Sequence, residues 1–280
     1  MILGFLGKGG SGKSSVSSQM AFFMSHKNKS VLAIDADHNM DLSYNLSGGA
    51  VPELEYFSQS LCDLLKARGL DDGETYTKAF VNDVESRFSL TPLSGEIAKY
   101  SCLVQNNIRL MTAGPQTDSV LYGMACSHSL TTPLKILLPL LTLEENEVVI
   151  VDEKAGADGV STGIVTGIDV GAIVCEASLH SVKTAKQIAE LMDFYETPYL
   201  FVGNKIASAK DEDFIISELG QDKLCFLKDS TNVKQNPTLL APDFFEDLQN
   251  IFDKAKTYNQ NNRLERTIKK FNRNQEFIHR

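Results

Sequence analysis

No stretch of the chain approaches the roughly 18 uncharged apolar residues that a membrane-spanning helix requires, so a spanning helix is excluded. There is no Cys-x-x-Cys pair. The five cysteines (Cys62, Cys102, Cys126, Cys175 and Cys225) are scattered and odd in number, which speaks against a disulfide scaffold and for reduced thiols in a cytoplasm. A signal or transit peptide is not expected either, because the opening apolar run from Met1 to Leu6 passes directly into Gly7 and Lys8. Repeats and low-complexity segments are absent, and neither the 8 prolines nor the 19 glycines concentrate into a linker. Positive charge is in short supply: 27 Lys and Arg stand against 36 Asp and Glu, for a net charge of −9. A surface given over as a whole to nucleic acid is therefore not expected, although a local basic patch stays open.

What the chain does have is apolar residues, 42% of its 280, spread along almost the whole length in the proportion of a globular domain with a substantial core. Short apolar runs at Ile2–Leu6, Val31–Asp35, Ile108–Thr112, Val148–Asp152, Ala172–Cys175, Tyr199–Val202 and Leu224–Leu227 read as strands. Several are apolar on both faces, as strands covered on both sides must be. Helical patterns fill the gaps, most plainly Ser14–Met24, Leu134–Leu143 and Ser181–Phe194, with a further helix over Phe57–Ala67 in the otherwise ambiguous segment 48–107. The alternation predicts an α/β fold: one doubly wound domain with a mainly parallel sheet over residues 1–258, followed by a helical basic tail over 259–280. Residues 260–280 carry six Lys and Arg against two acids, so the tail is +4 and the other 259 residues carry −13. Leu264, Ile268 and Phe271 recur at helical spacing in it. It reads either as a terminal helix docked on the domain or as a basic amphipathic helix for an anionic membrane or a partner protein.

The strongest motif is Gly7-Lys8-Gly9-Gly10-Ser11-Gly12-Lys13-Ser14, which matches G-x-x-x-x-G-K-[ST] between a predicted strand and a predicted helix. Glycines let backbone N–H groups turn toward phosphate oxygens, and the first turn of the helix, from Lys13 through Ser15, adds free donors and a favourable dipole. Lys13 is suited to neutralise β- and γ-phosphate oxygens, and the Ser14 hydroxyl to complete the shell of a Mg²⁺ ion. ATP and Mg²⁺ are the expected cofactors.

Lys8, one position after the first glycine, makes the motif similar to the deviant Walker A sequence. That variant marks the ATPase class of the nitrogenase iron protein, MinD, ParA, the ArsA group and the CooC nickel-insertion accessory proteins. The resemblance implies a homodimer in which Lys8 reaches the partner's nucleotide, so Lys8 joins Lys13 as a catalytic candidate. Val31-Leu32-Ala33-Ile34-Asp35-Ala36-Asp37 resembles the class's second strand, with Asp37 polarising the attacking water beside Mg²⁺. His38 stands where the class often has proline. Val148-Val149-Ile150-Val151-Asp152 resembles a Walker B strand whose Asp152 holds a Mg²⁺-bound water, and Glu153-Lys154-Ala155-Gly156 resembles switch II, whose Gly156 would offer its N–H to the γ-phosphate. Val202-Gly203-Asn204-Lys205 is similar to the strand end whose Asn hydrogen-bonds adenine, which points to Asn204. The run from Cys175 to Ala185 is similar to the CooC and iron-protein branch, with Ala177 where proline is usual.

From Met1 to about residue 230 the CooC type is the better match. That branch carries Cys-x-Cys before a leucine-rich helix, and here the position reads Cys126-Ser127-His128. Two Cys-x-His pairs across a two-fold axis could hold Zn or Ni; the alternative is a buried free Cys126 beside a surface His128 and no metal. Two functions stay open at this point. One is a metallocentre-assembly ATPase with a client metalloenzyme. The other is a positioning ATPase of the MinD/ParA type that acts on a membrane through its tail or on DNA through a patch. No direct nucleic-acid contact is expected under the first.

Overall fold

The computed structural model describes residues 1–51, 54, 56–58, 61, 100–116, 122, 131–161 and 163–278. Among these residues eight strands form one sheet: β1 (Ile2–Gly7), β2 (Ser30–Asp35), β3 (Cys102–Gln105), β4 (Ile108–Thr112), β5 (Glu147–Asp152), β6 (Val170–Cys175), β7 (Tyr199–Ile206) and β8 (Leu224–Lys228). Their order across the sheet is β3-β4-β2-β5-β1-β6-β7-β8. All neighbours run parallel except β3 and β4. The helices are α1 (Lys13–His26), α2 (Asp41–Ser47), α3 (Thr132–Leu140), α4 (Ala157–Ser161), α5 (Leu179–Phe194), α6 (Ala209–Leu219), α7 (Thr231–Gln235), α8 (Phe245–Tyr258) and α9 (Arg263–Ile278).

Successive residues of a strand face opposite sides, and the two cores follow that alternation. Ile2 and Leu6 of β1, Leu32 and Ile34 of β2, and Val149 and Val151 of β5 enter one core with α3, α5 and α6. Leu3, Phe5, Val31, Ala33, Val148 and Ile150 enter the other, with Val16, Met20 and Phe23 of α1 and Leu248, Ile251 and Phe252 of α8. The doubly wound α/β expectation therefore holds. The strand β1 lies between β5 and β6, where the winding reverses, and in such sheets ligands bind at the carboxyl ends beside that switch point.

Several boundaries move. The helix expected over Leu134–Leu143 begins at Thr132, with Pro133 at its first turn, and stops at Leu140 because Leu141 is extended (φ −71°, ψ 122°). The antiparallel edge strand β3 was not anticipated, since it is short and mostly half-buried or exposed. Its turn is nevertheless written in the sequence: Asn106 has φ 38° at the start of the Asn106-Asn107 link to β4. Helix α8 buries Leu248, Ile251, Phe252 and Ala255 at helical spacing. Most of Phe57–Ala67 lies outside the described residues, although Phe57 and Leu61 are fully buried.

The C-terminal helix α9 packs against α3 and the 3-10 turn Ile164–Gly167, with Leu264 and Ile268 on the core. Arg263 Nη1 pairs with Asp169 Oδ1 at 2.5 Å, and its Nη2 donates to the Leu141 carbonyl at 2.7 Å. No described helix is long and apolar enough to cross a membrane.

Candidate active site

The site is assembled by sheet register. Asp152, last residue of β5, pairs in register with Asp35 of β2 and with Phe5 of β1, so two carboxylates arrive beside the loop that follows β1. That loop ends at Gly12, which caps α1 in the left-handed region (φ 91°) and has no room for a side chain: a Cβ there would stand 2.3 Å from Asn204 Nδ2. The Ser11 N–H closes onto the Lys8 carbonyl at 3.1 Å. An open cavity of about 420 Å³ results, lined in part by Lys8, Gly9, Gly10, Gly12, Lys13, Ser14, Ser15 and Asp37. All eight are among the predicted site residues.

Lys13 is 5% exposed; its Nζ lies 2.8 Å from Asp152 Oδ1, 3.4 Å from Ser14 Oγ and 4.0 Å from Asp37 Oδ2. Burial by itself disfavours the ammonium, but Asp152, Asp37 and Asp35 outweigh it and the Lys13 pKa is raised. Burial pushes Asp152 up as well, against the pull of Lys13. Asp35 rises to about 7 through burial and the charge of Asp152, against hydrogen bonds from Ser43. Glu153, 1% exposed, is pushed to about 8, chiefly by burial. Four buried carboxyl groups thus share a single buried lysine.

Asp152 Oδ2, Glu153 Oε1 and Ser11 Oγ are buried without a hydrogen-bond partner, a costly state for polar oxygens. Hard carboxylate and hydroxyl oxygens at Asp152, Asp37 and Ser14 fit Mg²⁺, which prefers one or two carboxylates and completes its octahedron with water and phosphate. Among the described residues no group of three or more His, Cys, Asp or Glu is placed to hold a metal ion by itself.

The segments flanking the loop are held by backbone contacts. Asp35 Oδ1 accepts from the Asp37 N–H at 3.2 Å, and its Oδ2 accepts from Ser43 N and Oγ at 2.8 and 2.7 Å, which ties both ends of the segment carrying Asp37. His38 is buried, its Nδ1 hydrogen-bonded to the Gly114 carbonyl at 3.0 Å. The Gly156 N–H donates to the Gly7 carbonyl at 2.8 Å, so it would have to leave that acceptor to meet a phosphate. Asn204 is buried with its Nδ2 on the Ser11 carbonyl at 2.9 Å. Cys126 and His128 lie outside the described residues.

Of the other residues that line the same cavity, Asn39 and Asp41 are legible in the sequence as a continuation of the switch after Asp37 but without a binding role, and Asn45 and Lys205 were passed over; Asp35 and Glu153 were given no role. Lys205 was adjacent to a residue already singled out. Asp35 and Glu153 could have been suspected from carboxyl groups placed at the ends of the apolar runs 31–34 and 148–151.

The chain is similar to several known proteins. Residues 5–276 match the family model described as the CobQ/CobB/MinD/ParA nucleotide binding domain. The chain is 28% identical over 226 residues to an uncharacterized ATP-binding protein of Methanocaldococcus jannaschii, covering 80% of this chain and 86% of that one. It is 29% identical over 222 residues to the carbon monoxide dehydrogenase accessory protein CooC of Rhodospirillum rubrum, covering 79% and 80%. The crystal structure of the cell division ATPase MinD of Pyrococcus furiosus superposes with a TM-score of 0.63 at 13% identity, covering 91% of this chain and 98% of that one. The chain belongs to the CobQ/CobB/MinD/ParA nucleotide-binding family and is a P-loop ATPase of the MinD/ParA class.

Proposed function

We propose that this ATPase is a homodimeric switch that serves metallocentre assembly in the manner of CooC. The observation that carries the ATP half of the reading is the approach of Asp37 and buried Asp152 to Lys13, which lines one cavity together with Asp37 and Lys8. Lys13 leaves Asp152 for the β/γ-phosphate oxygens, and the loop and the first turn of α1 supply N–H donors to the same anion. Asp37 accepts a hydrogen bond from the attacking water and orients it in line. Mg²⁺, held through Ser14, Asp152 and Asp37, supplies neutralising charge to the phosphate when bound. Asn204, its Nδ2 engaged with the loop, offers its Oδ1 to the base. Lys8 acts across the dimer on the partner's nucleotide.

The similarity to CooC supports metal loading or release, with nickel or zinc as cargo at Cys126 and His128 of two chains. The alternative, a positioning ATPase that inserts its tail into an anionic membrane, would first have to lift Leu264 and Ile268 from the core and part Arg263 from Asp169. That cost supports the assembly reading.

The test measures oligomeric state and metal content with and without ATP. Asp37→Ala should bind ATP, dimerise and fail to turn over, while Lys8→Ala should bind ATP but neither dimerise nor hydrolyse it well. Metal should approach one ion per two chains and be lost in Cys126→Ser. Normal turnover and dimerisation in Lys8→Ala would remove the dimer reading; a metal-free wild-type protein at saturating zinc or nickel would remove the assembly reading and leave a generic switch ATPase.

A further inference from the structure

Two consecutive side chains at the end of β7 reach two consecutive carbonyls of the phosphate loop. Asn204 Nδ2 donates to Ser11 O at 2.9 Å, and Lys205 Nζ donates to Gly10 O at 2.6 Å. Lys205 Nζ is itself held by Glu176 Oε2 at 3.1 Å, one residue past the end of β6. Both partners of that ion pair are substantially exposed, so its contribution to stability is small and its use lies in aiming the ammonium.

The backbone is shaped to make this reach possible. The register of β7 against β8 shifts between Gly203 and Ile206, and Lys205 within that shift has φ 59°, a left-handed value that costs a lysine free energy. Such irregularities re-aim a side chain out of the ordinary alternation of a strand. Here the re-aimed residue lies in the wall of the phosphate cavity.

Peptide geometry converts these contacts into a function. A peptide unit is planar and trans, so a carbonyl held on one side holds the following N–H on the other. With the Ser11 carbonyl drawn to Asn204, the Gly12 N–H points away from β7. With the Gly10 carbonyl drawn to Lys205, the Ser11 N–H is set toward the Lys8 carbonyl, where it closes the turn.

We infer that Lys205, steadied by Glu176 and acting beside Asn204, is a positioning residue that holds the phosphate loop in its anion-binding shape before nucleotide arrives. It is therefore a determinant of affinity for nucleoside di- and triphosphates. This rests on the reading of the loop as the phosphate site, and the test separates the two.

ADP binding in the presence of Mg²⁺ is titrated calorimetrically for the full chain and its variants, with thermal melts alongside. Lys205→Met should weaken ADP about tenfold, the value of one charge-assisted hydrogen bond, with an unchanged melting temperature. Lys205→Arg should recover most of the loss and Glu176→Gln should lose about threefold. Lys186→Met, which removes a comparably exposed ion-paired lysine from α5, should bind as wild type. Lys13→Ala is the control for the underlying site. If it loses ADP while Lys205→Met binds normally, only the positioning role is overturned; if Lys13→Ala itself binds normally, the phosphate-site reading falls. Equal loss in Lys205→Arg and Lys205→Met also overturns the role, and should Lys205→Met not fold, the Arg and Gln variants decide it in the same way.

Discussion

At the carboxyl edge of the sheet Asp35, Asp37, Asp152 and Glu153 share the ammonium of Lys13, while at the amino edge Asp169 is met from several directions. Asp169 Oδ1 takes Arg263 of α9 at 2.5 Å, and its Oδ2 takes the Ile2 N–H at 2.7 Å. The second satisfies its carboxylate and clamps the C-terminal helix to the start of the first strand, with guanidinium in excess, since Arg263 Nε and Arg266 Nε are buried without partners. The first is short of positive charge and leaves Asp152 Oδ2 and Glu153 Oε1 without partners. Carboxyl groups buried without a matching charge cost stability or take up protons, as the raised pKa values of Asp35 and Glu153 indicate, and a cationic ligand would supply the missing charge. The two regions thus differ in which sign is left over: carboxyl groups beside the phosphate cavity, guanidinium groups beneath the docked C-terminal helix.

The largest effect expected from this contrast is at Lys13. Lys13→Ala should weaken ATP by roughly a hundredfold or more, since several charge-assisted contacts to phosphate go with it, yet leave a folded protein. Asp152, whose carboxyl pKa is already raised, can take up a proton in its place. Titration with a fluorescent ATP analogue and a near-ultraviolet dichroism spectrum check both halves; a variant that binds ATP normally breaks the comparison. Arg263→Ala should behave in the opposite way. It takes from Asp169, 1% exposed, the guanidinium that pairs with it directly, at a cost of about 3 kcal/mol in denaturant unfolding. Nucleotide affinity should be unchanged, and a large loss of it would show that the two edges are coupled.

The smallest effect concerns Lys270, on α9. Burial, with a contribution from the charge of Lys135, lowers its pKa to about 8. Between about pH 8 and the ordinary lysine value of 10.5 the unfolded chain keeps a proton that the folded chain has released, so stability should rise with pH across that window. Lys270→Met should remove the rise and increase the melting temperature at pH 7 by a few degrees. Melting profiles from pH 7 to 10.5 that run parallel for the two proteins would show that the lysine is not strained by its burial.

Much of this was legible because it is local. The phosphate loop is eight contiguous residues, and the acids at the ends of β2 and β5 are marked by the apolar runs before them. The parallel sheet follows from strands apolar on both faces. The edge strand β3 was missed because an edge buries little and so carries little pattern, and the end of α3 because a leucine run does not say where helical dihedrals stop. The tail's apolar residues were visible, but Leu264 and Ile268 on a core and Leu264 and Ile268 on a membrane produce the same periodicity.

By itself the sequence determined the chemistry that can be attempted: glycines, a lysine and a serine in the order that binds phosphate, and carboxylates carried to one edge by strand direction. Only the tertiary structure decided which of those groups meet. The Lys13–Asp152, Asn204–Ser11, Lys205–Gly10 and Arg263–Asp169 contacts join residues 94 to 195 positions apart. Periodicity reports which face of an element is buried and nothing about its partner. Partners are set by the order of strands across the sheet, and that order is chosen by the packing of the whole chain at once.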